Sequence, residues 1–204
     1  MFIKDGKRFN IDAAVTIGDV QYPAGFFRDP VARTEHGVTE LAEPARGDER
    51  YYYNQELAEA PYLIVTPKPL DNVKDAVWVR IQAHRDTLQE QGVQVQGYWF
   101  HNDVKSRSQW ERMVNNVTKL IAAGADAEDV YTIGGEPVYW KTMTGAYVQL
   151  TLSLVEAVVQ AMELQEATIF KVAAMHESFM RALDNVEAIA SYDWGTGWPP
   201  VYSA

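Results

Sequence analysis

A long apolar series near the C-terminus constrains the fold more than any other feature of this sequence. Between residues 155 and 190, side chains recur at alternating steps of three and four residues. Such steps place them on one stripe of an α-helix and are typical of coiled coils when sustained. The series, here called the seam, comprises Val155, Val158, Met162, Gln165, Ile169, Val172, His176, Phe179, Leu183, Val186 and Ala190. It predicts a long helical segment, unbroken or with a single break.

Two interpretations of the seam stay open at this level. Gln165 and His176 are its two polar members, and a polar seam residue in a coiled coil sets register and the number of helices. In the first interpretation the seam joins copies of the chain into a homo-oligomer, with a trimer as one candidate. In the second, the helix packs on its own domain, folded back as a hairpin if it breaks. The periodicity is the same in both cases.

The last residues carry aromatic side chains in a segment without helical or strand periodicity. Trp194, Trp198 and Tyr202 surround Pro199-Pro200. Tryptophan is rarely left in water, so these rings either pack on their own chain or insert into a neighbour. With the seam they complete the predicted protein interface: Val158, Met162, Gln165, Ile169, Val172, His176, Phe179, Leu183, Val186, Trp194, Trp198 and Tyr202.

The region before the long helix predicts an α+β fold in two parts. Residues 1–70 hold short β-prone runs, with hairpin signals at Asp5-Gly6 and Gly18-Asp19. They form a predicted β-rich docking module, which ends at the stiff segment 66–69. Residues 71–204 form a mixed domain with a helix over about 71–91, short hairpins, a second helix opened by Ser106, and the long C-terminal segment, which is opened by Ser153.

Composition excludes several classes of protein. The chain has no cysteine, so disulfides, thiol catalysis and cysteine metal centres are excluded. Eighteen basic residues against 28 acidic ones give a formal net charge of −10, which argues against non-specific nucleic-acid binding and against docking on anionic lipid. Apolar runs are too short for a transmembrane helix or a signal peptide. No nucleic-acid or membrane partner is therefore expected.

No motif in the chain specifies a reaction. There is no G-x-S-x-G sequence, and Gly134-Gly135-Glu136 lacks the lysine of a phosphate-binding loop. The four histidines, His36, His84, His101 and His176, are isolated from one another along the chain. Paired carboxylates for glycoside hydrolysis stay open, because such acids are usually distant in sequence. No catalytic, cofactor-binding or metal-binding residue is predicted.

Several short segments resemble a known domain. They are Trp140-Lys141-Thr142, Gly145–Thr151, Thr168-Ile169-Phe170, Phe179–Leu183 and Gly197-Trp198-Pro199. Together they look like an uncharacterised domain that recurs in tailed-bacteriophage and prophage proteins, often with tail, baseplate or tail-fibre genes. The resemblance covers about Lys74 to Pro200. A weaker one links 18–27 and 48–53 to small modules at the start of such tail proteins.

The resemblance implies a role in a phage particle or in its assembly. It implies a non-enzymatic structural component of the tail, baseplate or tail fibre. Such a component would be assembled in the host bacterial cytoplasm and bound to other tail or fibre proteins. A tail-fibre assembly chaperone, absent from the finished particle, is the alternative, and a phage glycan or cell-wall hydrolase is a third. The resemblance supplies no cofactor and no catalytic residue.

Overall fold

The computed structural model describes residues 1–203 and shows a mixed α+β fold of short antiparallel hairpins and a long helix near the C-terminus. The predicted fold class is thereby confirmed. The chain forms two compact units, Met1–Val73 and the region from Lys74 onward. The sequence placed this boundary at residue 70. Within residues 1–203, no helix combines the length and the apolar character needed to cross a membrane.

The first unit is built from short strands. Its elements are β1 (Phe2–Lys4), β2 (Lys7–Arg8), β3 (Val15–Ile17), β4 (Val20–Tyr22), a 3₁₀ turn (Phe26–Arg28), α1 (Pro30–Glu35), β5 (Thr39–Glu40), β6 (Tyr52–Glu56) and β7 (Leu63–Pro67). β1 lies between β2 and β5 in an antiparallel sheet, and β3–β4 and β6–β7 are separate hairpins. The hairpins predicted at Asp5-Gly6 and Gly18-Asp19 are confirmed.

Phe27 is the centre of the small core in this unit. It is fully buried with Ala32 and Val38, and the ring of Phe9 meets it edge-on at 5.0 Å between centroids. α1 corrects the sequence analysis, which identified no helix there. Asp29 caps this helix by accepting from the backbone N–H of Val31 at 3.0 Å.

The second unit alternates helices with hairpins. Its elements are α2 (Leu70–Gln89, which begins before the boundary), β8 (Val93–Val95), β9 (Tyr98–Phe100), α3 (Val104–Ala122), β10 (Thr132–Ile133), β11 (Glu136–Pro137), β12 (Tyr139–Lys141), β13 (Tyr147–Gln149), α4 (Leu152–Ala182) and α5 (Val186–Ser191). The pairs β8–β9, β10–β11 and β12–β13 are antiparallel hairpins.

α3 and the first half of α4 form the main core of this unit. Trp110 on α3 is fully buried between the rings of Phe100, 5.6 Å away, and Trp140, 4.4 Å away. Val155 and Val158 on α4 complete the cluster. Burial of several large rings at once makes this core a major stabilising element, because an aromatic side chain buries roughly 150–250 Å².

Two helix starts differ from those predicted. Asp103, rather than Ser106, caps α3, and its Oδ1 accepts from the backbone N–H groups of Lys105 and Ser106, each at 3.0 Å. Thr151, rather than Ser153, caps α4 by accepting from Leu154 at 3.2 Å. In both cases an acceptor two or three residues upstream occupies the capping position, so the helix starts earlier.

Gly92 connects α2 to β8 and tolerates no side chain. Its φ of +84° is a left-handed conformation that favours glycine. A Cβ atom there would lie 2.3 Å from Sδ of Met143 and 2.9 Å from the carbonyl oxygen of Phe100. The predicted role of Gly92 at the end of the helix therefore has a steric reason as well as a conformational one.

Candidate functional site: exposed faces of the second unit

The seam is covered by its own chain. Val155, Val158 and Ile169 have no exposed surface, and α4 packs against α3 and β8. The buried seam members are Val155, Val158, Met162, Gln165, Ile169, Val172, His176 and Val186. These side chains are not available to another copy unless the unit opens. The structure therefore favours packing within one domain over the predicted interface between copies.

The seam leaves the core near the end of α4. Phe179 is 57% exposed, and Leu183 ends α4 half-buried, while Met180 is fully buried. A repeat of 3.5 residues drifts by about 20° per heptad on a straight helix of 3.6 residues per turn. After three heptads the strict repeat has rotated away from the core, and Met180 replaces Phe179 there.

Gln165 joins three segments of the core. Its Oε1 accepts a hydrogen bond from Nδ2 of Asn102, and its Nε2 donates to the carbonyl oxygen of Gly92, both at 2.7 Å. Both side chains are buried. This polar seam residue therefore sets the position of α4 relative to the segments before β8 and α3.

His176 holds the segment that follows α5. Its Nε2 lies 2.9 Å from the carbonyl oxygen of Thr196, and its Nδ1 lies 2.7 Å from the hydroxyl of Tyr192. Because a carbonyl only accepts, Nε2 carries the hydrogen, and in the neutral ring Nδ1 accepts from the Tyr192 hydroxyl. The second polar seam residue is thus satisfied within the chain.

The aromatic residues of the terminal segment also pack on their own chain. The ring of His84 meets Trp194 and Trp198 at centroid distances of 5.8 and 5.1 Å. The ring of Tyr202 lies 5.8 Å from that of Trp99, and its backbone N–H donates to Gln91 at 3.0 Å. All three aromatic residues are half-buried. Of the two alternatives for this segment, the structure shows the first, packing on the same chain.

A second apolar face runs along the opposite side of α4. Leu164 is 69% exposed and Met175 is 43% exposed, and Phe179 lies on the same side. Ala167 and Ala174 are exposed between Leu164 and Met175, and Ala182 is exposed beyond Phe179. We call these six residues the outer face of α4. The seam did not reveal it, although three large apolar residues at steps of eleven and four residues form a second stripe that periodicity could have found.

The hairpin β12–β13 also has an exposed face. Tyr139, Lys141, Tyr147 and Gln149 point away from the core, while Trp140 packs into it. Tyr147 is 70% exposed and Tyr139 is 56% exposed. Half of this segment is thus required by the core and the other half faces water. Tyrosine is enriched at protein interfaces, because it combines apolar area with a hydroxyl group.

The helix α3 presents a basic face in an otherwise acidic chain. Lys105, Arg112 and Lys119 recur every seven residues and are exposed. None of the three lies within ion-pair distance of a carboxylate of residues 1–203. Gln109 and Asn116 lie beside them on the same side of the helix. We call these five residues the basic face.

The described part of the chain holds no group of three histidine or carboxylate side chains that could bind a metal ion. The imidazole of His84 is packed by indole rings, and that of His36 packs on Phe27 at 5.5 Å between centroids. The features of the second unit that the core does not explain are therefore its exposed faces.

Comparison with known protein families assigns the part of the chain that carries these faces to one family. Residues 72–195 match the family described as a domain of unknown function, DUF4376. That range contains α3, the hairpin β12–β13 and all of α4. Neither the curated proteins nor the solved structures contain a match to this chain.

Proposed function

Because the chain belongs through residues 72–195 to DUF4376, a family of unknown function, we propose a function from the surfaces of this chain and from the resemblance of its sequence to phage proteins. It is a non-enzymatic, protein-binding component of a tailed-phage tail, baseplate or tail fibre. The resemblance supplies the setting, and the outer face of α4 supplies the physical argument.

The outer face is the observation that carries this proposal. One side of α4 is buried in the unit, and the opposite side exposes Leu164, Met175 and Phe179. A helix buries one apolar stripe against its own core, and a second apolar stripe on the opposite side is available to a partner. From Leu164 to Ala182 the face is roughly 27 Å long at 1.5 Å per residue. The face also carries the exposed Lys171 and Ser178, and this combination of exposed apolar side chains with polar ones fits a contact with another protein.

The exposed side of β12–β13 supports the same proposal. Two of the segments that carry the phage resemblance, 140–142 and 145–151, lie in or directly beside this hairpin. Trp140 and Val148 pack in the core, whereas Tyr139 and Tyr147 face solvent. Core packing accounts for the first pair, and a contact with a partner would account for the second.

The outer face also bears on which residues a homo-oligomer would use. Eight members of the seam are already buried, so a homo-oligomer that keeps the fold must use other residues. Leu164, Met175 and Phe179 are available for a contact between copies or with another tail or fibre protein. Both arrangements are compatible with the repeated copies of a phage tail, in which identical contacts recur by symmetry.

Mass spectrometry of purified particles tests the proposal. A fixed copy number of this chain, in multiples of three or six, is expected for a component of the tail axis or fibres. Presence in infected cells with absence from particles would contradict a structural role and favour the assembly chaperone. Saturable hydrolysis of host cell wall by the purified chain would contradict a non-enzymatic role.

Variants of the outer face connect the copy number to this surface. Leu164→Ser combined with Phe179→Ser should reduce the number of copies in particles while the thermal unfolding midpoint stays within about 2 °C, since both residues are exposed. Val79→Ser is the matched control, because Val79 is 62% exposed on α2 and lies outside this face. Equal copy numbers in particles for the original chain, the double variant and Val79→Ser would overturn the role of the outer face.

A further inference from the structure

A groove lies between strand β10 and the part of the basic face from Gln109 to Lys119, which leaves Lys105 outside it. One cavity of about 300 Å³ is lined by Gln109, Arg112 and Ile133, among others. A neighbouring cavity of about 380 Å³ is lined by Lys119 and Leu120. Asn116, Tyr131 and Ile133 line both cavities, so the two form one continuous groove.

The groove has a distinctive charge. Arg112 and Lys119 line it, and no carboxylate among residues 1–203 does so. α3 carries four basic residues and one acidic residue, Glu111, in a chain with a net charge of −10. Glu111 lines a different cavity with Arg107 and Glu163. The lining of the groove therefore carries positive charge, although the chain as a whole is acidic.

The groove also has apolar and hydrogen-bonding groups. Ile133 is 63% exposed and Leu120 is 42% exposed. The amide of Gln109 has no hydrogen-bond partner among the described residues, and Asn116 makes one long contact, 3.4 Å from Nδ2 to the hydroxyl of Tyr131. Side-chain amides both donate and accept, as a peptide backbone requires.

From these features we propose that the α3–β10 groove binds an extended, acidic segment of another protein. Carboxylates of that segment pair with Arg112 and Lys119, and an apolar side chain contacts Ile133 and Leu120. From Gln109 to Lys119 the helix rises about 15 Å. An extended chain rises 3.2–3.4 Å per residue, so the groove holds about four or five residues.

A protein segment fits this groove better than a nucleic acid does. Nucleic-acid binding by charge needs many cations along a backbone, and the net charge of −10 opposes a long polyanion. One or two carboxylates need only the local pair of cations, because exposed charges are screened beyond about 10 Å at 0.1 M salt. A phosphate group also offers no apolar surface for the exposed side chain of Ile133 to contact.

A random dodecapeptide library, selected on the immobilised full chain, identifies a measurable probe. Selected peptides should be enriched in Asp and Glu beside Leu, Ile, Val or Phe. A selected peptide is then synthesised with a fluorophore, and its affinity is measured by anisotropy together with that of a form in which Gln replaces each Glu and Asn each Asp. We expect the amide form to bind about tenfold more weakly, because it loses its charge pairs with both Arg112 and Lys119.

Variants place the binding in the groove. Arg112→Gln should weaken binding about tenfold, and Ile133→Ser several-fold, with an unchanged unfolding midpoint because both side chains project into the open groove. Lys105→Gln is the matched control, since it removes the same charge from the same helix outside both cavities. It should change the affinity less than twofold.

Several results would overturn the proposal. They are a selection without enrichment of acidic residues, equal weakening by Arg112→Gln and Lys105→Gln, and stronger binding of a 20-nucleotide poly(dT) strand than of the selected peptide. The last result would assign the groove to nucleic acid. None of these measurements depends on incorporation into phage particles, so this inference and the proposed function fail independently.

Discussion

The Nδ1 atom of His176 lies 2.7 Å from the phenolic oxygen of Tyr192. This contact joins α4 to the residue that follows α5. The imidazole is 4% exposed, so neither of its nitrogens has water as a ready substitute. A single hydroxyl group therefore determines whether a buried polar atom is satisfied.

Tyr192→Phe tests this contact. Removal of the hydroxyl leaves Nδ1 of His176 buried without a partner, which should lower the free energy of unfolding by about 1–3 kcal/mol. Urea denaturation followed by tryptophan fluorescence measures the change. Tyr147→Phe is the control, because Tyr147 is 70% exposed and its hydroxyl has no contact in the core. Equal unfolding midpoints for both variants would show that the hydrogen bond contributes nothing.

Deletion of residues 192–204 tests whether the terminal segment belongs to the core. Rings of this segment contact His84 and Trp99, so their loss should lower the free energy of unfolding by at least about 3 kcal/mol, in keeping with the loss of large aromatic side chains from a core. Calorimetry of the full and shortened chains gives the comparison. A shortened chain with the original melting temperature would instead support the alternative that this segment serves a partner.

Ile169→Asp and Leu164→Asp form a matched pair on one helix. Ile169 has no exposed surface, whereas Leu164 is 69% exposed. An unpaired carboxylate in the core costs several kcal/mol, so Ile169→Asp should unfold the second unit, while Leu164→Asp should change its stability by less than about 1 kcal/mol. Circular dichroism and light scattering measure both proteins. If Ile169→Asp keeps its fold and only loses oligomeric mass, the seam joins copies after all.

Asp103 provides an acid-sensitive contribution to stability. Hydrogen bonds from the hydroxyl and the backbone N–H of Ser106, with a smaller contribution from Lys105, lower the pKa of the Asp103 carboxyl, against the opposing effect of burial. The folded state therefore favours the ionised form, and its stabilising effect is present above the ordinary aspartate pKa. It is lost as the pH falls through the lowered pKa of the folded state.

Asp103→Asn isolates this contribution, because asparagine keeps a capping oxygen but does not ionise in this range. The variant should be less stable than the original chain by up to about 1 kcal/mol near pH 7, and the difference should narrow as the pH falls below the ordinary aspartate pKa and through the lowered pKa of the folded state. Urea titrations at five pH values measure it. A difference that does not change with pH would exclude ionisation of Asp103 as its source.

Local turn chemistry made the hairpins of the first unit predictable. Asp5-Gly6 and Gly18-Asp19 adopt the tight turns that these residue pairs favour, and Gly92 ends a helical segment as expected. α1 was missed although Asp29 before Pro30 is a recognised start signal, with the capping residue directly before a proline at the first helical position. The same dipeptide also occurs in turns, and six residues are too few for periodicity to decide.

The seam shows what periodicity leaves undetermined. It places Val158 and Ile169 on one side of a helix, but the same stripe suits a partner helix, α3 or β8. Only the three-dimensional structure shows that Gln165 binds Asn102 and Gly92, which are 63 and 73 residues away. The outer face of α4 and the α3–β10 groove were missed for a related reason. Which side chains are exposed depends on which side of each helix the fold covers, and periodicity does not show this.

The bond from Tyr202 to Gln91 has a kinetic consequence. It closes a loop of more than one hundred residues, and folding slows as contacts become more distant in sequence. During synthesis, α2 and α4 emerge before the residues that cover His84 and Trp99, so the unit passes through a stage with these rings exposed. The contacts of the terminal segment with His84 and Trp99 therefore form late in folding. The time they take to form determines how long these aromatic side chains are exposed on the nascent chain.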